Sequence, residues 1–328
     1  MTRAAIDRVR MLIGPLAACA ALALPASSPA VTPSTPPPKP PLAYAAYVEQ
    51  VTASSAVLKG RVNPRGLATE YYFQYGPTTA YGSQSSAASA GSGTLEVKLT
   101  QPVTGLQPYT TYHFRVIATS SAGTTASTDA TFVTKKIPLS LAASATPTQI
   151  VFGSALSVSG TLSGTGNAGV GIVVQANLFP YNHGFQDITA PVPTDALGSF
   201  SIPIPRLLQS ARLRAATVGT PTAPTIYSPA TTELVSVHVT LHVRPAARRG
   251  FVRLYGTVTP PKAGARVAFE QRDHGRYVLI SGTLIRARPG GGSRFARTLR
   301  LGPGIYRALV QIKGGPQVSG RSLPVVIR

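Results

Sequence analysis

The chain has 328 residues, a formal net charge of +21 and a single cysteine, and its length suits two or three domains rather than one. The 30 prolines and 31 glycines favour short strands joined by many turns and argue against helical bundles. Only ten acidic residues are available, which argues against calcium cages and paired-carboxylate active sites. One cysteine cannot build a disulfide framework.

Residues 1–30 are typical of an export signal peptide. A basic start with three arginines precedes an apolar run from Met11 to Leu24, and small residues at 26–30 suit cleavage. The run is too short for a comfortable membrane span, and no second apolar run of about 20 residues follows. We therefore expect an exported protein, located outside the cell or at its surface.

Cys19 leaves two interpretations open. The sequence Leu16-Ala17-Ala18-Cys19 resembles the lipobox of bacterial lipoproteins, which implies a lipid attached to Cys19. Alternatively it is a chance cysteine inside the apolar segment, because Ala20 to Leu24 stay apolar after it. We expect contact with a membrane only through such a lipid.

Residues 31–43 form a proline-rich linker, beginning VTPSTPPPKPP. Proline fixes φ and removes a hydrogen-bond donor, so the segment is predicted to be an extended, polyproline-like spacer.

Residues 44–134 have the strand spacing of one β-sandwich. Val57 and its neighbours form a short strand, and in the next strand Tyr71, Phe73 and Tyr75 share a face. A third strand alternates apolar residues from Tyr112 onward, which leaves His113 on the opposite, solvent-facing side.

The turn before that third strand carries Leu106, Pro108 and Tyr112 in the spacing Leu-x-Pro-x-x-x-Tyr. This pattern resembles the tyrosine corner of fibronectin type III domains, in which the tyrosine hydroxyl bonds back to the preceding corner. The motif from Gly60 to Gly76 is similar to fibronectin type III-like modules of bacterial exported proteins. The chain has no tryptophan, although that family usually buries one, so Leu58 or a neighbour is expected to fill its volume.

Residues 138–236 and 237–328 resemble each other, which indicates a duplicated module. Gly160-Thr161-Leu162 corresponds to Gly256-Thr257-Val258, and Leu213-Arg214-Ala215 corresponds to Tyr306-Arg307-Ala308. Both copies resemble bacterial immunoglobulin-like domains; the alternative is a single larger all-β unit. The predicted fold is therefore all-β, with tandem fibronectin type III-like and immunoglobulin-like sandwiches after a signal peptide and linker.

Neither the histidines nor the hydroxyls form a convincing reactive set. His238 and His242 share a strand face but lie about 13 Å apart, too far to bind one zinc together. His183, Asp187 and Ser199 are the nearest hydrolase-like trio, and they lie in sequence typical of a hairpin loop. We expect no catalytic residue, no metal site and no cofactor.

The charge is concentrated in the last module. Residues 237–328 contain fifteen Arg and two Lys against two acidic residues, whereas the two preceding modules are nearly balanced. The candidate polyanion-binding residues lie on neighbouring predicted strands: Arg286, Arg288, Arg294, Arg297, Arg300 and Arg307. The alternative is that arginine is spread over all faces without forming a patch.

The sequence thus predicts an exported, non-enzymatic structural or adhesion protein. Two alternatives stay open: a module that binds an anionic cell-wall polymer or other polyanion through the arginines, and an accessory subunit of a carbohydrate-active enzyme. The partner is expected to be an anionic wall polymer or a surface protein. Recognition of nucleic acid is disfavoured, because the aromatic side chains of the last module are few and several are expected to be buried.

Overall fold

A computed structural model describes residues 36–328. The predicted signal peptide, Cys19 and the start of the linker lie outside these residues. The described chain contains 29 β-strands and no helix, and so it holds no helix that could cross a membrane. The strands build six sheets and three separate buried clusters, and the chain is therefore a row of β-sandwiches.

The first sandwich has two antiparallel sheets around one apolar cluster. In one sheet β3 lies between β7 on one side and β1 and β2 on the other; in the second, β8 and β4 are central. Its strands are β1 (Leu42–Ala43), β2 (Tyr47–Glu49), β3 (Ser55–Asn63), β4 (Thr69–Gly76), β5 (Ser83–Gln84), β6 (Ala88–Gly91), β7 (Val97–Thr104), β8 (Thr111–Ser120), β9 (Gly123–Ala126) and β10 (Ala130–Val133).

The core of this sandwich follows the predicted alternation. Phe73 is fully buried between Tyr71 and Tyr75, which both pack against the cluster, and Leu58 is also fully buried. The linker, however, ends earlier than the sequence indicates, because Leu42–Ala43 pair with β3. The carbonyl of Pro41 also accepts a hydrogen bond from the Thr125 hydroxyl at 2.8 Å, since proline lacks a donor but keeps its acceptor.

The second sandwich packs a three-stranded sheet against a six-stranded one. The orders are β11-β13-β17 and β12-β19-β18-β14-β15, with β16 also on β14. The strands are β11 (Ser140–Thr146), β12 (Gln149–Val151), β13 (Leu156–Ser163), β14 (Gly171–Leu178), β15 (Gln186–Asp187), β16 (Val192–Pro193), β17 (Ser199–Ile204), β18 (Ala211–Thr217) and β19 (Thr231–Ser236).

The third sandwich has two five-stranded sheets. We call β20-β22-β26-β25, with β21 also on β22, the front sheet, and β24-β23-β27-β28, with β29 also on β27, the back sheet. The strands are β20 (His238–Val239), β21 (His242–Pro245), β22 (Val252–Thr259), β23 (Arg266–Asp273), β24 (Arg276–Leu284), β25 (Arg286–Ala287), β26 (Ser293–Leu299), β27 (Gly304–Gln311), β28 (Gly320–Arg321) and β29 (Val325–Ile327).

The second and third sandwiches repeat one close contact. Gly160 pairs with Phe200 in one and Gly256 with Phe295 in the other. A Cβ on either glycine would come within 2.8 Å or less of the paired phenylalanine ring, closer than real Cβ atoms approach other atoms. Both sites therefore need glycine, because that Cβ would come still closer to a backbone carbonyl oxygen, of Ala142 in one and of Thr240 in the other, and a backbone atom cannot move aside as a ring can.

All three sandwiches share a buried serine that pairs with a strand of the core. In each, the serine hydroxyl accepts from a backbone N–H, and the serine N–H donates to the carbonyl of the same residue. The pairs are Ser127 with Val116, Ser228 with Ala215 and Ser322 with Ala308. The repeat indicates that the three sandwiches are variants of one local design.

The second and third sandwiches are joined by hydrogen bonds as well as by the chain. Val318 donates to the carbonyl of Val235 at 2.8 Å and accepts from the N–H of Val237 at 3.1 Å. The Gln317 amide nitrogen donates to the carbonyl of Leu208 at 2.8 Å. The connecting segment is thus paired along its length with a loop of the third sandwich.

Candidate functional site: an arginine-lined face

The outer face of the front sheet follows from period-two alternation along β22. Leu254 and Val258 point into the core, and Arg253, Tyr255 and Thr257 alternate with them and face outward. Because β21 and β26 flank β22 in antiparallel register, their own outward residues extend these rows across the sheet.

A groove of about 780 Å³ lies over this face. Six arginines line it, and no acidic residue of the described chain does. They are Arg244, Arg253, Arg286, Arg288, Arg294 and Arg297.

Four of the groove arginines form two facing pairs. Arg244 on β21 is the register partner of Arg253 on β22, and Arg286 on β25 is that of Arg294 on β26. Like charges directly opposite each other in a sheet are destabilising. Within residues 36–328 none of the four forms an ion pair, so the repulsion is not offset by a carboxylate.

Aromatic and polar side chains line the middle of the groove. His242 and Tyr255 are register partners whose ring centroids lie 5.5 Å apart. The Arg244 guanidinium lies 5.5 Å from the Tyr255 ring centroid, a cation–π distance that helps to orient it. The hydroxyls of Thr240 and Thr257 form a hydrogen bond of 2.8 Å beside this pair.

The structure brings together four of the six candidate arginines: Arg286, Arg288, Arg294 and Arg297. Arg297 lines the groove although its partner Leu254 faces the core. Its end of β26 lies beyond β25, which pairs only with residues 293 and 294, and this open edge lets the side chain reach solvent.

Arg300 and Arg307 do not join the groove. Arg300 follows β26, is exposed and does not line the groove. Arg307 lies on β27 in the back sheet, where its Nε donates to Glu270 Oε2 at 2.6 Å and its guanidinium stacks 3.5 Å from the Tyr277 ring centroid. The expectation that Arg307 lies on a strand next to the others fails because β27 belongs to the opposite layer.

Sequence reasoning missed Arg244 and Arg253. Each occupies an outward position in a strand that alternates apolar and polar residues. The sequence shows that alternation but not the pairing of β21 with β22, because two strands joined by a loop of six residues, 246–251, can align in several registers.

The tyrosine-corner residues surround one hydrogen bond. The Tyr112 hydroxyl accepts from the N–H of Gln107 at 2.9 Å, and Leu106 is buried beside it. In the third sandwich the Tyr306 hydroxyl similarly donates to the carbonyl of Gly302 at 2.9 Å. Burial raises the pKa of Tyr306.

His113 is less exposed than expected. Its Nδ1 lies 2.7 Å from Asp129 Oδ2, and the Tyr81 hydroxyl donates to the other carboxylate oxygen at 3.0 Å. The hydrogen bond with His113 holds the pKa of Asp129 below its ordinary value, while burial raises that of Tyr81. The cluster ties β8 to neighbouring turns.

Neither a metal site nor the hydrolase-like trio forms in the part of the chain that the structure describes. No group of three potential metal ligands is present there. Asp187 accepts from the Gln175 amide at 2.8 Å, and Ser199 lies on β17 in the opposing sheet. No hydrogen bond among the described residues links Asp187, Ser199 and His183.

Comparisons with known proteins identify no family. No family model matches the chain, and no curated protein matches it. The solved structures to which it is similar include three that each match 88% of the chain. The FN1–FN3 domains of chicken CNTN1 are 15% identical, with 99% of that chain covered and a TM-score of 0.30.

The other two solved structures are similarly distant. A tetra-tandem repeat in the extending region of a large adhesion protein is 14% identical, with 75% of that chain covered and a TM-score of 0.36. A marsupial T cell receptor is 13% identical, with 100% of that chain covered and a TM-score of 0.28. At these values the similarity supports no statement about function.

Proposed function

We propose that this protein is an exported, non-enzymatic surface or adhesion protein that binds an anionic cell-wall polymer through the arginine-lined groove of its third sandwich. The first two sandwiches act as a spacer that presents this domain.

The observation that carries the proposal is the groove itself. Six arginines line it without an acidic neighbour from the described chain, in a module whose two acidic residues are engaged elsewhere, Glu270 with Arg307 and Asp273 with His274. Guanidinium groups bind phosphate and carboxylate through paired, charge-assisted hydrogen bonds. A polyanion would also release its counterions on binding, which makes the affinity depend on salt.

The test is sedimentation of the purified protein with isolated cell walls across a salt series. We expect binding that weakens steeply with salt. In a variant with Arg244, Arg253, Arg286 and Arg294 changed to glutamine, the slope of log affinity against log salt should fall by about 3, at about 0.7 per lost contact.

A matched control separates the groove from overall charge. Arg272 and Arg276 lie exposed on the back sheet, and R272Q/R276Q removes two charges without touching the groove. It should leave wall binding nearly unchanged, whereas R286Q/R294Q, with the same charge change, should weaken it. Equal effects of the two variants would reject the groove as the site. Turnover of any polysaccharide in a substrate panel would contradict the non-enzymatic assignment.

A further inference from the structure

The strand register places the arginines of each facing pair directly opposite each other. We define clamp A as Arg244 with Arg253, and clamp B as Arg286 with Arg294. Directly opposed residues in antiparallel strands have Cβ atoms about 5 Å apart, so two guanidinium groups can converge on one anion. An anion held between the two guanidinium groups would turn a destabilising pair into a favourable site. No carboxylate of the described residues forms an ion pair with these arginines.

The clamp geometry favours phosphate over carboxylate. The lone pairs of a carboxylate lie in one plane, and a single bidentate guanidinium already occupies two of its sites. A tetrahedral phosphate presents oxygens in more than one plane, so it can accept from two guanidinium forks that reach it from different strands.

The two clamps are well separated. Clamp A lies at the level of Arg253, and clamp B lies beside Thr257, four residues along β22. Four strand residues span about 13 Å and two strand spacings about 10 Å, which together place the clamps about 16 Å apart. The groove between them is lined by His242 and Tyr255 rather than by further facing arginine pairs.

We propose that the groove holds one extended, phosphate-bearing chain at both clamps at once. This inference rests on the proposed function and specifies its ligand. A chain long enough to reach both clamps gains avidity, because binding at the second clamp is intramolecular, and this can multiply affinity by about 10² or more. A short phosphate compound occupies the clamps independently and gains none.

The test uses calorimetric titration of the whole protein with tripolyphosphate and with long-chain inorganic polyphosphate. The long chain should bind about a hundredfold more tightly per chain than tripolyphosphate, or better. R244Q/R253Q and R286Q/R294Q should each weaken long-chain binding about tenfold or more, whereas for tripolyphosphate each should remove one of two sites and leave the other. The back-sheet control R272Q/R276Q should change the affinity for either ligand by no more than about twofold. All substituted positions are exposed, and a thermal melt of each variant checks that it is folded.

The outcomes separate the inference from the function on which it rests. Long-chain binding no tighter than tripolyphosphate binding would overturn the two-clamp arrangement while leaving polyanion binding intact. Tighter binding of polygalacturonate than of polyphosphate of matched length would overturn the preference for phosphate. Absence of binding to every polyanion at low salt would reject the proposed function together with the inference.

Discussion

In the third sandwich, Arg307 on the back sheet and Arg294 on the front sheet have contrasting surroundings. Arg307 donates to Glu270 and stacks on Tyr277, with only 21% of its side chain exposed. Arg294 faces Arg286 across the strand and is exposed beside the groove. One arginine is fully engaged within the protein, and the other is left available to a ligand.

The engaged arrangement recurs in the other two sandwiches. In each, an arginine Nε donates to the side chain of its register partner, and the guanidinium stacks on an aromatic ring; we call this the arginine brace. The braces are Arg115 with Gln74 and Tyr81, Arg214 with Gln175, Phe185 and Tyr227, and Arg307 with Glu270 and Tyr277. Facing arginine pairs, in contrast, occur along the front sheet. The number of arginines therefore does not locate a candidate binding site; the partners that surround each arginine do.

The largest effect on stability should come from removing the arginine brace of the third sandwich. Arg307→Met should destabilise the third sandwich by about 2 kcal/mol, because it leaves the largely buried Glu270 carboxylate without its partner. Hydrogen exchange of the β23 and β27 amides would measure this, since it reports on one sandwich alone. Polyphosphate binding should be unchanged.

Two controls sharpen that result. Glu270→Gln imitates the glutamine of the other two braces and should cost less than Arg307→Met. R286Q/R294Q should stabilise the fold by a few tenths of a kcal/mol, since it removes a like-charge pair, while it weakens polyanion binding. If R286Q/R294Q destabilises the sandwich as much as Arg307→Met, the distinction between the two sheets fails.

A smaller effect is expected at the shared serine. Ser322→Ala should cost about 1–2 kcal/mol, because the buried N–H of Ala308 loses its acceptor. Ser281→Ala, on the half-buried part of β24, is the control and should cost little. The same exchange measurement applies, and similar costs for Ser127→Ala and Ser228→Ala would support a common design.

Loss of the tyrosine-corner hydrogen bond should cost about 1 kcal/mol of folding stability. Tyr112→Phe keeps the ring that stacks on Phe132 and removes only the acceptor of the Gln107 N–H. Hydrogen exchange of the β8 amides would measure the loss. Unchanged protection would show that this hydrogen bond adds no stability.

The smallest effect on stability is expected at Glu233, a buried carboxyl that forms no ion pair among the described residues. Glu233 is 3% exposed, its Oε2 has no partner among the described residues, and burial raises its pKa. An acid with a raised folded-state pKa stabilises the fold only while protonated, so stability falls as pH rises from about 4.3, the ordinary value, through the folded-state pKa.

Glu233→Gln should remove this loss of stability with rising pH. The variant should melt above the wild type at neutral pH, and the difference should shrink toward acid pH. Asp129, whose pKa is lowered by His113, has the opposite sign: its contribution is lost as pH falls. A Glu233→Gln difference that does not vary with pH would contradict the assignment of burial as the cause.

Much of the fold could be predicted because it depends on local periodicity. The alternation around Phe73 and Tyr112 assigned the inward faces of the first sandwich correctly, and the outward face of β22 follows the same rule. The start of the first sandwich was misplaced, because Leu42–Ala43 are held by pairing with a distant strand rather than by their own sequence.

The candidate site was only partly predictable. Charge counting located the module, but it grouped Arg307 with Arg294 and omitted Arg244 and Arg253. These errors share one cause: sequence shows which side of a strand a residue occupies, but not which sheet the strand joins or which residue faces it.

Alternation and composition are local properties of the chain, and they suffice to predict β-sandwiches and the concentration of positive charge in the last one. Tertiary structure determines which arginines are braced and which face another arginine without an ion pair among the described residues. That outcome depends on the register of β21 with β22, of β25 with β26 and of β23 with β27, and register is set by how the two sheets pack their apolar faces against each other.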